Sequence, residues 1–431
     1  MTLALLLLLE LSDVASSGHD ERTTHVEGLL HSKSTGRYQM VKVLPTKASS
    51  FDELFDYAKP FAVLRVGYIY NDSSFGVDND ALAYGGQFGF KTAQMNGFSA
   101  LLSAYTSQNA NLNVWTHSTI NNSFFDKDTQ GFTYLAEANL DYENELLRVK
   151  VGRIRIDTPF ADSDDIRMAP NTFEGIWSHF SVNDMIKIQT FYLSRWAGFD
   201  SRQEDSNGNI INGQDEFKKF TKDSKGLGSV SMSYVTGNNE YSAWYYYIDK
   251  YAQIAYTEAI GSSHISDYIH IDWGVQLSYF DELENSKIEG SVSGLLSVVH
   301  YKNIFGSVAL NYANVDTGNM ITDGFAGGPN FTSLDEMGVA TASQLYPGND
   351  ILAYRLGVGY ELSTLKKGAL VIELIHGHFD VGNISKVIDE DDVVISYTFL
   401  DRWYVEGVFA FFDNHANDSF NRGVVRLDYS F

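Results

Sequence analysis

Apolar and polar side chains alternate along most of this chain. In residues 351–360 the large apolar side chains share one parity, and the positions between them are small or charged. Successive side chains of a β-strand point to opposite faces, so such a segment is predicted to be a strand with one apolar and one more polar face. The same alternation occurs in 81–92 and in 132–142, where the even-numbered residues are the more apolar ones. The pattern therefore predicts an all-β fold.

The number and length of the patterned segments favour a barrel. Many run for about ten residues, as a tilted strand that crosses a bilayer does, rather than the usual five or six. The alternating segments given below are odd in number, whereas a bacterial single-chain barrel has an even number of strands. One strand is therefore hidden, and the segment 239–258 is long enough to contain two. We therefore predict a transmembrane antiparallel β-barrel of about 18 strands, with 16 as the alternative. The predicted segments are 61–71, 81–92, 97–107, 132–142, 145–156, 173–181, 185–196, 228–236, 239–258, 268–280, 289–301, 303–313, 350–361, 368–378, 393–400, 402–412 and 420–431.

Linkers and aromatic residues support the same prediction. Short turns alternate with the long polar stretches 108–130, 198–226 and 314–349. Tyr68 and Trp196 are among the aromatic residues at predicted strand ends, where the girdles of outer-membrane barrels lie. A soluble sandwich or propeller would instead bring its apolar faces together in a core. Strand length and the alternation of linkers favour the membrane barrel.

Composition excludes several classes of function. Lys and Arg number 31 against 55 Asp and Glu, so the formal net charge is −24, and nucleic acid is not expected as a partner. The absence of Cys excludes disulfides, thiolate nucleophiles and thiolate metal ligands. The 26 Tyr and 28 Phe against 6 Pro suit many extended strands.

The two ends of the chain carry different signals. Residues 1–17 are predicted to be a signal peptide, because an apolar run is followed by small residues. Its start is atypical, because no positively charged residue precedes the apolar run. A short buried helix is the alternative there. Residues 18–58 form a polar N-terminal segment with a short helix at 49–57, and 59–431 form the barrel. Phe431 shares its parity with apolar residues, so it is predicted to face lipid. A terminal Phe of this kind resembles the assembly signal of bacterial outer-membrane barrels and implies the barrel-assembly machinery as a partner.

Residues 151–175, VGRIRIDTPFADSDDIRMAPNTFEG, resemble the OprD-type porin family. The family has a Gly-Arg strand, an acidic loop and an Arg-x-x-Pro-x-Thr-Phe-x-Gly motif, and GGPNFTSLDE at 327–336 is a weaker match. The resemblance implies an 18-stranded barrel with a loop after Arg155 that folds inward and narrows the pore. It implies an outer-membrane porin for passive diffusion of small hydrophilic solutes and ions, which contacts membrane lipids and lipopolysaccharide. A homotrimer is one assembly to consider. The matching positions are Gly152, Arg153, Arg167, Pro170, Thr172, Phe173 and Gly175.

Charged residues are the candidate lining of this pore. Those on the polar faces of strands are predicted to form a basic wall, and the loop carboxylates, with Asp162 among them, are predicted to face it across the constriction. The parity of Arg153 and Arg155 is ambiguous, and a bulge near Gly152 would reconcile it. Plain solvation of each charge is the alternative. Arg195 and Arg422 belong to the basic wall, and the candidate constriction and lining residues are Arg65, Arg153, Arg155, Asp157, Asp164, Asp165, Arg167, Lys187, Arg355 and Arg426.

Other motifs are weaker. Residues 205–216 have the acidic spacing of a calcium loop but lack its central Gly, so no cofactor is expected, with Ca²⁺ at acidic loops as the alternative. The HGHFD sequence at 376–380 needs a second strand to complete a metal site. DEDD at 389–392 is predicted to be a solvated turn. No catalytic activity is expected. The alternatives are a barrel hydrolase that uses His264 and Ser266, and an adhesin displayed on the long loops.

Overall fold

The computed structural model describes residues 47–74, 78–111, 119–204, 210–363, 368–400, 402–415 and 419–431. The predicted signal peptide and most of the N-terminal segment therefore lie outside the described residues. The described chain begins with helix α1, Phe51–Asp56, whose first turn is capped by the Ser50 side chain at the Glu53 N–H. The short helix predicted at 49–57 is confirmed.

Eighteen antiparallel strands follow and form a closed barrel. Each strand pairs with its neighbours in the chain, and the last strand pairs with the first from Val63 to Ser73. The prediction of about 18 strands is confirmed, and the alternative of 16 is wrong. The strands are β1 Lys59–Ser73, β2 Asn79–Lys91, β3 Phe98–Asn109, β4 Phe132–Glu143, β5 Leu147–Ile154, β6 Thr172–Ser181, β7 Ile186–Ala197, β8 Leu227–Thr236, β9 Asn239–Ile248, β10 Ala252–Ser266, β11 Ile269–Glu282, β12 Gly290–Tyr301, β13 Ile304–Asn314, β14 Ile351–Leu362, β15 Gly368–Val381, β16 Lys386–Phe399, β17 Trp403–Asp413 and β18 Ser419–Ser430.

The hidden strand lies where the sequence pattern indicated. Residues 239–258 contain β9 and the start of β10, joined by a turn at 249–251 in which Lys250 has φ +62°. Tyr246, Ile248, Ala252 and Ile254 are all buried, so the even-numbered residues face inward on both sides of the turn. The period of two therefore passes through the turn unbroken, which is why the sequence shows one long segment.

The two ends of the barrel differ. Both the start of β1 and the end of β18 lie at one end, which we call the turn end, together with short connections such as 144–146 and 237–238. The other end, the loop end, carries the long loops 110–131, 155–171, 198–226 and 315–350, although some connections there are short as well. Helix α2, Val339–Leu345, lies within the loop at 315–350.

The outer face of the barrel is apolar. Leu64 and Val66 of β1 and Leu352 and Leu356 of β14 are among many large apolar side chains that are exposed and alternate with buried residues. Such a belt on a closed barrel is a surface that lipid covers. Among the described residues, no helix has both the length and the apolar character that a membrane span requires.

The inner face is not uniformly polar, which differs from the predicted water-filled wall. Phe160, from the loop at 155–171, packs edge-on against Tyr246, Tyr256 and Phe280, with ring centroids 5.5, 5.7 and 5.7 Å away. Phe325 and helix α2 from the loop at 315–350 join the same apolar cluster. One side of the barrel interior is therefore filled by loops that bury apolar side chains against apolar wall.

The prediction that the even-numbered residues of 132–142 all lie on one face of the strand is wrong, because β4 contains a bulge. The pairing of β4 with β3 shifts where Ser103 and Ala104 meet Glu137 and Leu135, which leaves Ala136 without an opposing residue. An extra residue in one strand reverses the faces of those beyond it. Phe132 is therefore buried inside, whereas Leu140, of the same parity, is 63% exposed outside.

Candidate functional site: a loop clamped inside the barrel

The loop at 155–171 is a braced structure within the barrel. The short strands Asp157–Thr158 and Ala161–Asp162 pair with each other. The Ser163 N–H donates to the Ile156 carbonyl (2.8 Å), and the Ile156 N–H donates to Ser163 Oγ (3.0 Å). Phe160 at its tip is fully buried against the apolar wall. The inward loop implied by the family resemblance is thus present in the structure.

Arg65 of β1 holds this loop at the opposite wall. Its Nη1 and Nη2 donate to the two carboxylate oxygens of Asp165 at 2.6 and 2.8 Å. Its Nε and Nη2 also donate to Asp428 of β18 at 2.8 and 2.7 Å. Burial alone would raise the pKa of Asp165, but Arg65 and Arg426 outweigh it and hold that pKa below its ordinary value. Asp165 is therefore bound to the basic wall, rather than facing it across an opening as predicted.

Arg426 of β18 forms the second half of the clamp. Its Nη2 donates to Glu406 of β17 at 2.7 Å, and its Nη1 donates to the Arg167 carbonyl at 3.0 Å. The same Nη1 also donates to the carbonyl and carboxylate of Asp165. Each arginine thus binds one carboxylate of the wall and one of the loop. Charge-assisted contacts of this kind, which are bidentate for Arg65, fix both position and orientation.

Arg155 and Arg167 lie at the two ends of the clamped segment. Arg155 donates to Gln87 Oε1 at 3.0 Å and lies 3.6 Å from the Glu137 carboxylate on the wall. The Arg167 guanidinium lies 4.6 Å from the centre of the Phe199 ring, and burial lowers its pKa to about 10. Phe199 belongs to the loop at 198–226, so that loop also contacts the constriction.

The other loop carboxylates have separate environments. Burial, together with the nearby Asp200 and Asp165, raises the pKa of Asp164 to about 8. Burial and the neighbouring Asp157 raise the pKa of Asp162 well above its ordinary value. Asp157 itself is exposed. The acidic loop therefore presents carboxylates with different protonation at neutral pH.

Between the clamp and the wall there is almost no space. Arg65, Gln87, Tyr105, Arg155 and Asp165 are among the residues around a cavity of about 20 Å³. That volume holds about one water molecule. Solutes are therefore not expected to pass between the loop and strands β1–β3 while the loop is clamped.

The remaining predicted basic residues do not all join this site. Arg355 lies on the inner wall of β14, where it donates to Glu373 of β15 at 3.1 Å. Lys187, near the turn end, has the same parity as the buried Phe191 on β7. Arg195 is exposed because the pairing of β7 with β6 shifts between Leu193 and Arg195, so its predicted place on the lumenal face is wrong.

Arg153 also lies apart from the charged network. It donates to the Leu135 carbonyl at 2.7 Å, and its guanidinium lies 4.3 Å from the centre of the Phe217 ring. Strand β5 stays in register with both neighbours across Gly152, so the bulge suggested there is not present. Gly152 instead has φ +125°, and a Cβ there would lie 2.1 Å from the Ala138 carbonyl oxygen.

A second loop is held in the lumen by charged residues that the sequence analysis misassigned. DEDD at 389–392 is not a solvated turn but part of β16. The Glu390 carboxylate accepts the N–H groups of Glu336 and Met337 at 2.9 and 2.8 Å, and Asp392 accepts that of Asp335 at 3.2 Å. The alternation of the strand turns these two carboxylates inward, where the backbone of the loop at 315–350 supplies donors.

Arg422 of β18 contributes to the same contact, because it forms ion pairs with Glu336 and Asp335. The wall carboxylates Glu406 and Asp428 were not among the candidate lining residues of the sequence analysis. The alternation of the sequence does indicate that both carboxylates face inward, since each has the parity of the buried side of its strand. Only the barrel shows that they are partners of the arginines.

The histidine motif at 376–380 lies on the outer face. His376 and His378 of β15 pair with Asp391 and Asp389 of β16 at 2.9 and 2.6 Å. The second strand therefore contributes carboxylates within hydrogen-bond distance of the two rings. Within the calcium-like stretch 205–216, residues 205–209 lie outside the described residues, and 210–212 form a short strand that pairs with 203–204.

The fold resembles solved porin structures along most of the chain. OccAB4 of Acinetobacter baumannii is 13% identical, with a TM-score of 0.69 over 87% of this chain and 98% of that one. OpdK of Pseudomonas aeruginosa, in a crystal structure with vanillate, is 16% identical, with a TM-score of 0.69 over 87% and 99% of the two chains. OccK9 (OpdG) of P. aeruginosa is 11% identical, with a TM-score of 0.71 over 88% and 99%.

Sequence comparison is less informative at this distance. No protein-family model and no curated protein sequence matches the chain. The structural matches include OccAB, OpdK, OccK1 and OpdG, which are all OprD-family outer-membrane porins. The resemblance in the 151–175 motif is thereby confirmed at the level of the fold: the chain has the closed, 18-stranded barrel fold of the OprD-type porins.

Proposed function

We propose that the protein is a porin of the bacterial outer membrane, through which small hydrophilic solutes and ions diffuse passively. The observation that carries this proposal is the loop at 155–171, which is folded into a closed barrel and clamped there by Arg65 and Arg426. An apolar outer face and a charged interior support it, because only the interior can solvate an ion. The function of the solved porins with this fold is consistent with it.

The clamp gives the proposed channel its selectivity. Arg65 and Arg426 bind Asp165, Asp428 and Glu406, so two positive charges and three negative charges lie within one connected network. Charges of both signs beside the path of the solutes create a local field that sorts solutes by charge and dipole. Transport down a gradient needs no catalytic step and no cofactor. The proposed partners are membrane lipids, lipopolysaccharide and the barrel-assembly machinery.

Among the described residues, neither alternative function is favoured by a specific contact. Ser266 Oγ accepts the Tyr268 N–H at 3.4 Å, and the His264 ring stacks on His270. The loop at 198–226, which an adhesin would display, instead packs Phe220 against the Trp196 ring in the apolar cluster.

Single-channel recording in a planar lipid bilayer tests the proposal. The purified full-length protein should insert and produce stepwise ionic currents. Protein denatured by boiling should produce none. OpdK was crystallised with vanillate, so vanillate is a suitable first solute for a liposome-swelling assay. Correctly folded protein that inserts into the bilayer and passes neither ions nor small solutes would refute the proposal.

A further inference from the structure

Four side chains that could ligate a metal lie together on the inner wall near the turn end of the barrel. His270 of β11 is opposite His264 of β10 and His300 of β12 in the two strand registers. Asp272 lies two residues after His270, and hence on the same face of β11. That face is lumenal, because it continues to the buried Gln276.

These groups are close enough to share one ion. The ligand atoms of His270, Asp272 and His300 all lie within 4.8 Å of one another. His300 Nε2 lies 3.0 Å from Asp272 Oδ2. The rings of His270 and His300 stack at 4.1 Å with an angle of 9°, and His264 stacks on the other side of His270 at 5.7 Å.

We propose that His270, Asp272 and His300 form a binding site for a divalent transition-metal ion, with Zn²⁺ as the ion that best fits two imidazoles and one carboxylate. Two imidazoles with a carboxylate are a common ligand set for zinc in proteins. Ligand atoms around tetrahedral Zn²⁺ at about 2.1 Å lie about 3.4 Å apart, so small side-chain rotations close the present group around an ion. The fourth position is open to water or to the His264 imidazole.

The residues around the proposed metal site leave it accessible from the lumen, unlike a buried metal site that only stabilises the fold. Phe305 of β13 lies beside His300, with ring centroids 5.8 Å apart, and limits the rotation of that ring on one side. His270 and His300 are only half-buried, so an ion in the lumen can reach them. The site is far along the chain from the clamped loop and uses none of the clamp residues. It therefore does not depend on the proposed channel function.

Direct metal binding to the detergent-solubilised, full-length barrel tests this proposal. The protein is stripped with a chelator and dialysed, and Zn²⁺ is titrated by calorimetry. Co²⁺ is then bound in a parallel titration, because its visible absorption reports nitrogen ligands and coordination number. Wild-type protein should bind one Zn²⁺ tightly. His270→Ala should weaken binding at least about tenfold, because even the loss of an outer-shell partner typically costs that much.

His179→Ala is the matched control, because it removes one inward-facing, buried imidazole from β6, outside the cluster. It should leave the affinity for Zn²⁺ unchanged. His300→Gln provides a second variant that keeps the size of the side chain, and it should also lose affinity. Heat-modifiable migration on gels shows that each variant is folded. Wild-type protein without measurable Zn²⁺ binding, or folded His270→Ala and His300→Gln proteins that bind like wild type, would overturn the proposal.

Discussion

Loss of the Asp165 carboxylate should release the inward loop while leaving the barrel wall intact. Asp165 accepts contacts from Arg65 at 2.6 and 2.8 Å and from Arg426 at 3.3 Å. In an Asp165→Asn protein, Arg65 keeps its pair with Asp428, and Arg426 keeps its pair with Glu406. The substitution therefore removes the carboxylate attachment of the loop without leaving either arginine unpaired. The backbone carbonyls of Asp165 and Arg167 still accept from the arginines.

The magnitude follows from these contacts. A hydrogen bond to a charged group contributes about 1.5–3 kcal/mol, and Asn loses one of the two oxygens that accept from Arg65, so we take about 3 kcal/mol. Because about 1.4 kcal/mol corresponds to a factor of ten, the fraction of time in which the loop leaves the wall should rise about a hundredfold. The wall contacts of Phe160 remain and limit how far the loop moves.

Single-channel recording at low voltage measures this change. Asp165→Asn channels should visit a state of larger conductance far more often than wild-type channels do. Asp157→Asn is the matched control, because it removes the same charge from an exposed position of the same loop. Equal conductance and equal current noise in the Asp165→Asn and Asp157→Asn proteins would show that the Asp165 carboxylate does not hold the loop.

Three further predictions concern the pore and its assembly. The Phe431 N–H donates to the Ala62 carbonyl at 2.9 Å. Deletion of Phe431 should reduce the amount of heat-modifiable barrel in the outer membrane without blocking export. Normal assembly of the shortened protein would show that the residue is not needed for assembly. Burial places the pKa of Asp164 at about 8, so this group is mostly neutral below pH 8 and negative above it. The reversal potential in a salt gradient should therefore shift toward cation preference as pH rises from 7 to 9. Asp164→Asn should reduce that shift. If the variant shows the same shift as the wild-type protein, Asp164 lies outside the ion path. Arg355→Ala and Arg426→Ala should each increase cation preference at low salt. The effect should shrink at about 1 M salt, where the Debye length is about 3 Å. The absence of any change at low salt would mean that neither arginine lies near the ions.

The sequence by itself determined the barrel. Alternation with period two depends only on the geometry of a strand, so the outward Leu352 and the inward Arg355 could be assigned without knowing any neighbour. The short helix before the barrel was also predicted, and the strand hidden in 239–258 followed from the length of that segment and the even number of strands in such barrels. The inward loop was implied by the motif at 151–175 and is present in the structure.

Local irregularities limited that reasoning. A bulge adds one residue to one strand and reverses the faces beyond it, and the alternating sequence around Ala136 carries no mark of it. The same effect placed Arg195 outside instead of in the lumen. Backbone pairing between neighbouring strands decides these positions, and a single strand considered alone does not contain that information.

Only the tertiary structure decided which charges meet. Arg65 and Asp428 are 363 residues apart in the chain, and they become neighbours because the last strand closes the barrel on the first. His270 and His300 come from adjacent strands whose register places them opposite each other. Parity predicts that a side chain faces the lumen, but its partner depends on strand order, register and the path of the loops, which are properties of the closed barrel.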